Sequence, residues 1–363
     1  MQITFTQTLI ALVLSVPAFA QNLVSTSVQP RNAVLEEFTG VNCVNCPDGH
    51  FRANQLYNAF PGRVVLINIH SGSFATAGFT TSFGDPIDNF AGVSAYPSGT
   101  MNRIVWAGAY NIPPYFPQTP PNNLAIRRPG WWDTGYPNQG TGAYIILQGG
   151  NSPVNIGAET QWNATTRELV VTVELYYTAT ENQNNKLNVV LLESGIVGYQ
   201  SGGGATYTHN HIMRHLLTGQ WGDEIITTTQ STLVTKTYSY IVPAAINIDN
   251  CDISLFVTQN DDKNTHTGVT MVAKNGTTVG IAENGNLAAV GVYPSPAEDF
   301  IYITGLSNQV TDIKIVNVIG KTVAQIHPGK EMIEQNVSDL AAGVYFVNIS
   351  NGSKNIVKKF IKN

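Results

Sequence analysis

The sequence predicts an α/β domain followed by two all-β units. Residues 33–69 carry a strand, a helix and a second strand in immediate succession. From about residue 151 the chain changes to alternating, β-branched segments separated by Asn- and Gly-rich turns, which is the pattern of an antiparallel β-sandwich. The last part of the chain is again β-rich and short. Since 363 residues exceed one ordinary core, the expected domains are 21–150, 151–287 and 288–363.

Composition and charge limit the classes of partner. Only 12% of the residues are charged, and the formal net charge is -5. Lys and Arg form no stripe outside the last few residues. We therefore expect neither nucleic acid nor an anionic membrane as a partner, because both are bound through clustered positive charge.

The N-terminal segment predicts a secretory signal peptide over residues 1–20. An apolar run, Leu9–Val16, is followed by Pro17 and by the small-x-small cleavage pattern Ala18-Phe19-Ala20. The usual basic residues before the apolar run are missing. The alternative, a membrane anchor, requires an apolar run of ~20 residues, and this run is far shorter. We therefore expect an exported protein.

The first domain carries a pair of cysteines between a strand and a helix. Ala33–Phe38 is strand-like, Cys43 and Cys46 follow a turn, and the next segment has apolar residues at helical spacing. Val64–Ile69 is then a continuous apolar run, as in a strand buried on both faces. A cysteine at a helix N-terminus is stabilised as thiolate by unpaired N–H groups and the helix dipole. Cys43 is thus the expected exposed, attacking sulfur and Cys46 the resolving one.

This strand, dithiol and helix resemble thioredoxin. Glu37 lies six residues before Cys43 and matches the family's buried carboxylate. The resemblance implies that Glu37 exchanges protons with the inner cysteine, Cys46. The implied fold of residues 21–150 is a thioredoxin-like domain.

The resemblance to thioredoxin extends to a second segment. Val93–Thr100 resembles the family's Ile-Pro-Thr loop. By that resemblance the Tyr96–Pro97 bond is cis, and Pro97 lies against the dithiol. The loop then offers a docking edge for substrate, with Tyr96 and Ser98 as the substrate-binding residues. A short extra helix is expected before it, over Asp85–Ala91.

Several roles for the cysteine pair remain open. Export favours a disulfide between Cys43 and Cys46, because exported proteins enter an oxidising compartment. Such a disulfide either exchanges with a protein dithiol or disulfide substrate, or serves only as a structural link. A zinc site with His50 lacks a fourth ligand, so neither a metal nor a cofactor is predicted. Cys251 is expected to be a buried free thiol.

The middle domain, residues 151–287, contains several strand candidates. The clearest are Leu169–Tyr177, Leu187–Glu193, Lys236–Val242 and Asp252–Thr258. Between them, His211 and His215 are four residues apart and would share a helix face. A metal site with His209 is conceivable, but no carboxylate lies among these histidines, and imidazoles often bond to backbone groups instead.

The body of the chain resembles the Bacteroidetes outer membrane protein 28-related family over roughly residues 30–275. Four segments carry the resemblance. They are the strand before the cysteine pair, Ala95–Arg103, Leu192-Glu193 with the residues after it, and the block His209–Gly222. It implies an envelope or surface location and supplies no established reaction.

The last domain, residues 288–363, resembles the type A sorting domain of type IX secretion. It shows a Pro-x-Pro-Ala start at Pro294–Ala297, the segment Leu340–Tyr345 and a basic last strand. Its expected fold is a small Ig-like β module. The resemblance implies that this domain addresses the chain to the type IX secretion machinery. The expected location is the outer membrane surface or the extracellular space.

Two functions remain open from the sequence. In the first, the protein is a thiol–disulfide oxidoreductase in which Cys43 attacks, Cys46 resolves and Glu37 relays a proton, while Pro97 shapes the docking edge. In the second, it is a non-catalytic surface binding or scaffold protein with a structural disulfide. Its contact surface would then be the β-sandwich or the loop at Trp131-Trp132.

Overall fold

The computed structural model describes residues 23–106, 124–131, 142–278, 290–294, 297–304, 306, 310–318, 320–327, 332–350 and 355–363. The predicted signal peptide at residues 1–20 lies outside these residues, and so does Trp132. Within the described ranges, no helix is long and apolar enough to cross a membrane.

The described residues form three α-helices and twenty-one strands. Helices α1–α3 are Cys46–Ala59, Gly84–Ala91 and Gly142–Gln148. Strands β1–β7 are Ala33–Thr39, Val64–His70, Ser98–Met101, Ala125–Arg127, Val154–Asn163, Glu168–Tyr177 and Asn185–Glu193. Strands β8–β14 are Ile196–Gln200, Gly204–His209, Ile212–Leu216, Asp223–Ile225, Leu233–Ile241, Cys251–Gln259 and Thr265–Val272. Strands β15–β21 are Gly291–Tyr293, Phe300–Thr304, Asp312–Asn317, Thr322–Ile326, Met332–Asn336, Gly343–Ser350 and Asn355–Lys362.

The first domain is built on the strand order β2-β1-β3-β4. Strands β1 and β2 are parallel and every residue of both is buried, which explains their continuous apolar sequences. A parallel pair needs a crossover, and α1 supplies it. Strand β3 runs antiparallel to β1, and β4 antiparallel to β3. The predicted strand–helix–strand unit and the short helix before the proline loop are both confirmed.

Helix α1 begins at Cys46 for local chemical reasons. Pro47 occupies the first turn, where its missing N–H costs nothing, and Asp48 places a negative charge near the positive end of the dipole. The face that includes Cys46, His50 and Leu56 is buried. The first turn therefore fixes the cysteine against the sheet.

The sheet of the first domain continues into the middle domain. Strand β10 joins β2 through the parallel pair Ile212 and Asn68. The main path of this nine-stranded sheet is β14-β13-β7-β10-β2-β1-β3-β4, and β11 pairs with β7 beside it. A second sheet, β12-β6-β5, packs on this one through a shared aliphatic core. The predicted strands of the middle domain are confirmed, but residue 151 does not mark a break between two separate sheets.

The region of His211 and His215 is a strand and not the predicted helix. Residues Ile212–Leu216 form β10, which pairs with β7 and has an irregular register between Met213 and His215. Ile212 and Met213 are both buried in the sheet. The burial of these apolar side chains between two neighbouring strands outweighs the local helical spacing.

A buried ion pair within the first domain lies against the middle domain. Arg103 donates to both carboxylate oxygens of Glu36, from Nε at 2.7 Å and from Nη2 at 2.6 Å. Both side chains are 2% exposed. The guanidinium also lies over the rings of Phe256 at 5.1 Å and Trp221 at 6.0 Å. Arg103 thus neutralises Glu36 of β1 and at the same time contacts two aromatic rings of the middle domain.

The C-terminal domain consists of two small sheets around its own core. Their orders are β15-β16-β19 and β18-β17-β20-β21. Core residues such as Ile301, Ile313 and Val347 are fully buried. The β-rich module and its basic last strand, β21, are as predicted.

Candidate dithiol site

The candidate site is centred on a disulfide at the start of α1. Cys43 and Cys46 are bonded to each other, with their Cα atoms 5.4 Å apart. Cys251 is a free, buried thiol, and burial raises its pKa to about 12. The predicted pairing and the predicted buried thiol are both confirmed.

The structure corrects the expectation that Cys43 is exposed, since the residue is only 3% exposed. The β8–β9 hairpin lies against the backbone of this loop, which no local sequence feature indicated. The Gln200 side-chain amide donates to the carbonyl oxygens of Gly40 at 3.2 Å and Cys43 at 3.0 Å. The Ser201 N–H donates to the Val41 carbonyl at 2.8 Å. These bonds fasten the hairpin to the backbone that carries the attacking position.

Glu37 and Pro97 both lie against the first turns of α1. A Cβ atom placed on Gly49 would be 2.5 Å from Glu37 Oε1 and 2.7 Å from Pro97 Cγ, so glycine is required for this close approach. The Tyr96–Pro97 bond is cis, as the resemblance implied. Glu37 is fully buried and neither of its carboxylate oxygens has a hydrogen-bond partner. Burial therefore raises the pKa of Glu37 well above its ordinary value.

The two residues predicted to bind substrate are engaged within the protein. The Tyr96 hydroxyl donates to Asp88 Oδ2. The Ser98 hydroxyl donates to the Ala95 carbonyl at 2.6 Å, and Ser98 is paired in the sheet with β1 on one side and β4 on the other. The backbone edge expected at Ser98 is thus occupied by neighbouring strands.

A cluster of polar rings lies between the hairpin and the first domain, and the sequence did not predict that these residues come together. His50 Nε2 lies 2.8 Å from Thr39 Oγ1, and His50 Nδ1 lies 2.8 Å from the Tyr207 hydroxyl. The His209 ring is 5.0 Å from that of Tyr207 and 5.8 Å from that of His70. Desolvation lowers the pKa of both His50 and His70 to about 3. His50 and Tyr207 are 157 positions apart, so only tertiary structure reveals the cluster.

The histidines considered for a metal site are dispersed. His209 belongs to the ring cluster, His211 lies 5.0 Å from the Tyr57 ring, and His215 stacks on Tyr240 at 4.0 Å. In the part of the chain that the structure describes, no group of three or more His, Cys, Asp or Glu residues is arranged to hold a metal ion.

Replacing Glu37 with Gln is expected to stabilise the protein increasingly as the pH rises. The native-state pKa of Glu37 is raised above its ordinary 4.5, so between these two values the unfolded chain is ionised while the native carboxyl is neutral. Wild-type stability therefore falls with rising pH in that window, and Gln removes this loss. The difference should grow by about 1.4 kcal/mol per pH unit.

Urea denaturation at several pH values measures this effect of Glu37→Gln. The matched control is Glu224→Gln, at an exposed carboxylate that accepts a hydrogen bond from Asn184. If the unfolding free energy changes with pH equally in Glu37→Gln and in the wild type, Glu37 is not a buried carboxyl whose pKa is raised.

Comparison with known proteins agrees with this arrangement of body and tail. Residues 85–278, just over half of the chain, match the family described as outer membrane protein Omp28. Residues 291–363 match the secretion system C-terminal sorting domain. A mostly β body joined to such a tail defines an exported protein of the cell surface or outer membrane, and the tail implies an interaction with the type IX secretion machinery. The chain belongs to the outer membrane protein Omp28 family.

Solved structures similar to this chain include two from Porphyromonas gingivalis, while no curated protein matches it. HBP35 of Porphyromonas gingivalis is 18% identical with a TM-score of 0.54, and the match covers 92% of this chain and 98% of that one. This likeness shows a shared fold. A domain of the outer membrane lipoprotein Omp28 from Porphyromonas gingivalis is 22% identical with a TM-score of 0.26, over 34% of this chain and 89% of that chain. The segment that matches the family begins after α1, so it does not include the disulfide.

Proposed function

We propose that this protein is a surface-displayed, non-catalytic scaffold in which a thioredoxin-like domain is held closed by a structural disulfide. The observation that carries this proposal is the burial of Cys43, in a loop to which the β8–β9 hairpin is hydrogen-bonded. Thiol–disulfide exchange requires access to a sulfur atom. A residue that is 3% exposed does not offer that access in the closed structure.

The strand order supports the thioredoxin-like part of the proposal. The order β2-β1-β3-β4, with one parallel and two antiparallel pairs, surrounds a cysteine pair at the start of α1. Glu37 and the cis Pro97 both approach that helix at Gly49. A fold of this kind does not itself dictate turnover.

The hairpin supplies the closure. Strands β8 and β9 form a two-stranded sheet of their own, and such a sheet is only marginally stable without further contacts. The Gln200 side-chain amide donates to the carbonyl oxygens of Gly40 and Cys43. The Tyr207 hydroxyl of β9 is hydrogen-bonded to the His50 ring. The disulfide in turn fixes the loop on which the hairpin rests. We infer that the two features stabilise each other.

We expect the native disulfide to resist mild reductants. Alkylation and mass measurement should show reduction at least about tenfold slower in buffer than in denaturant, because the hairpin must open first. Gln200→Ala removes the side-chain amide that bonds the hairpin to the Cys43 loop. It should accelerate reduction of the native protein about tenfold, the factor for a lost hydrogen bond of about 1.4 kcal/mol. Gln230→Ala, at an exposed loop position, is the matched control and should leave the rate unchanged.

A second candidate function is thiol–disulfide exchange, and the uncompensated Glu37 carboxyl favours it. Once an external dithiol has reduced the Cys43–Cys46 disulfide and been oxidised in turn, and with the hairpin displaced, the Cys43 thiolate would attack a substrate disulfide, releasing one substrate thiolate and forming a mixed disulfide. Cys46 would then attack Cys43, releasing the second substrate thiol, with Glu37 exchanging the proton. Pro97 would then lie beside the reacting sulfurs, while Tyr96 and Ser98 stay engaged within the protein.

An insulin-reduction assay separates the two functions. Reductant-dependent activity that Cys43→Ser abolishes, together with rapid reduction of the native disulfide, would overturn the scaffold proposal. Activity equal to that of Cys43→Ser would exclude the exchange mechanism.

A further inference from the structure

The C-terminal end of α1 meets the sorting domain. The Thr304 hydroxyl of β16 donates to the carbonyl oxygen of Ala59, the last residue of α1. Both residues are fully buried. Carbonyl groups in the last turn of a helix have no partner within the helix, and the last turn of α1 contains no basic side chain. A residue of the sorting domain thus supplies a partner that the helix itself lacks.

Strand β15 approaches the same helix end closely. A Cβ atom on Gly291 would lie 3.0 Å from the Ala59 carbonyl oxygen and 3.3 Å from that of Asn58. Gly291 is paired with Thr304 across β15 and β16, so the glycine and the hydroxyl face the helix together. A larger residue at position 291 would push the two elements apart.

Aromatic packing surrounds this polar contact. The Tyr293 ring meets the Phe60 ring edge-on, with centroids 6.2 Å apart, an arrangement that is favourable beyond its burial. Tyr293 and Met332 of the sorting domain both pack on the hydrophobic core of the first domain. The contact therefore combines a hydrogen bond at the helix end with apolar burial around it.

We propose that the end of α1 is a docking surface for the sorting domain, and that β15 and β16 bind there as a cap on the helix that carries the disulfide. The two domains then unfold as one cooperative unit. This inference does not depend on whether the disulfide exchanges.

Hydrogen exchange on the full chain tests the cap. Thr304→Val removes the hydroxyl and should accelerate amide exchange in the last turn of α1 about three- to tenfold, the range for one lost hydrogen bond. Gly291→Val should have a larger effect through steric separation. Thr322→Val, at an exposed position of the same domain, is the matched control. Unchanged exchange in α1 in both variants, with β20 and β21 still protected, would overturn the proposal.

A double-mutant cycle tests the same contact without Gly291→Val, in case that variant disturbs the sorting domain itself. Phe60→Ala and Tyr293→Ala are made singly and together in the full chain. If the rings meet as described, the effects on the unfolding equilibrium should be coupled by about two- to tenfold. Additive effects, with two separate unfolding transitions, would show that the domains are independent.

Discussion

Acidification from pH 7 to pH 5 is expected to destabilise the protein by a few kcal/mol. Burial lowers the native-state pKa of His50 and His70 to about 3 and that of His211 to about 4, against 6.5 for an exposed histidine. Between these values the unfolded chain binds protons that the native state does not. Stability is therefore complete above about pH 6.5 and is lost as the pH falls toward the native values. Each histidine contributes about 2 kcal/mol of this loss by pH 5.

Glu37 acts in the opposite direction over the same range. Because its native pKa is raised, acidification favours the native state by up to about 1.4 kcal/mol per pH unit. The net loss for the wild type is thus smaller than the sum of the histidine contributions. The Glu37→Gln variant lacks the offset, so it should lose more stability on acidification than the wild type.

Urea titrations at pH 5, 6 and 7 measure this dependence. His211→Asn is the informative variant, because His211 has a φ of 54° and asparagine tolerates that conformation. It removes one titrating group and should lose about 2 kcal/mol less than the wild type on going to pH 5. Equal losses in the two proteins would contradict a neutral, buried His211.

Arg103→Met is expected to cost about 3–5 kcal/mol of unfolding free energy. The substitution keeps most of the side-chain volume but leaves the Glu36 carboxylate buried without its cation. Thr100, whose hydroxyl lies 2.8 Å from Glu36 Oε2, remains as a partner but does not neutralise the charge. Urea denaturation at neutral pH measures the loss, and the double variant Glu36→Leu/Arg103→Met should recover most of it.

The matched control for Arg103→Met is a surface ion pair. Lys274 and Asp249 lie 2.6 Å apart, but their side chains are 46% and 62% exposed. Lys274→Met should therefore change stability by less than about 1 kcal/mol. If Arg103→Met costs no more than Lys274→Met, the Glu36 carboxylate does not depend on Arg103 for its neutralisation.

The elements that sequence predicted correctly are those with strong local patterns. The runs Ala33–Phe38 and Val64–Ile69 are apolar because both faces of the strands are covered, and periodicity reports such burial directly. The cysteine pairing followed from a spacing of three residues in an oxidising compartment. The C-terminal module was recognised from short motifs within a continuous segment.

The features that escaped prediction depend on contacts between distant segments. The hairpin is hydrogen-bonded to the Cys43 loop by Gln200, 157 positions away. The pairing of β10 with β2 likewise joins Ile212 to Asn68. No short stretch of sequence predicts either contact. The two partners meet only after the chain has closed a long loop, so the contact depends on how distant segments fit together. For the same reason, the helical spacing of His211 and His215 predicted a helix where the chain forms strand β10.

The pairing of β2 with β10 has a consequence for shortened versions of this protein. A fragment ending at residue 150 would lack β10, and the polar backbone groups of β2 that now bond to it would face solvent along one side. The Asn68 N–H donates to the His211 carbonyl at 2.8 Å, and its side-chain amide to the Asn210 carbonyl at 2.8 Å. An apolar strand with a bare edge recruits strands from other molecules. Such a fragment should precipitate or self-associate, so the dithiol chemistry is best studied in a chain that extends at least through residue 278.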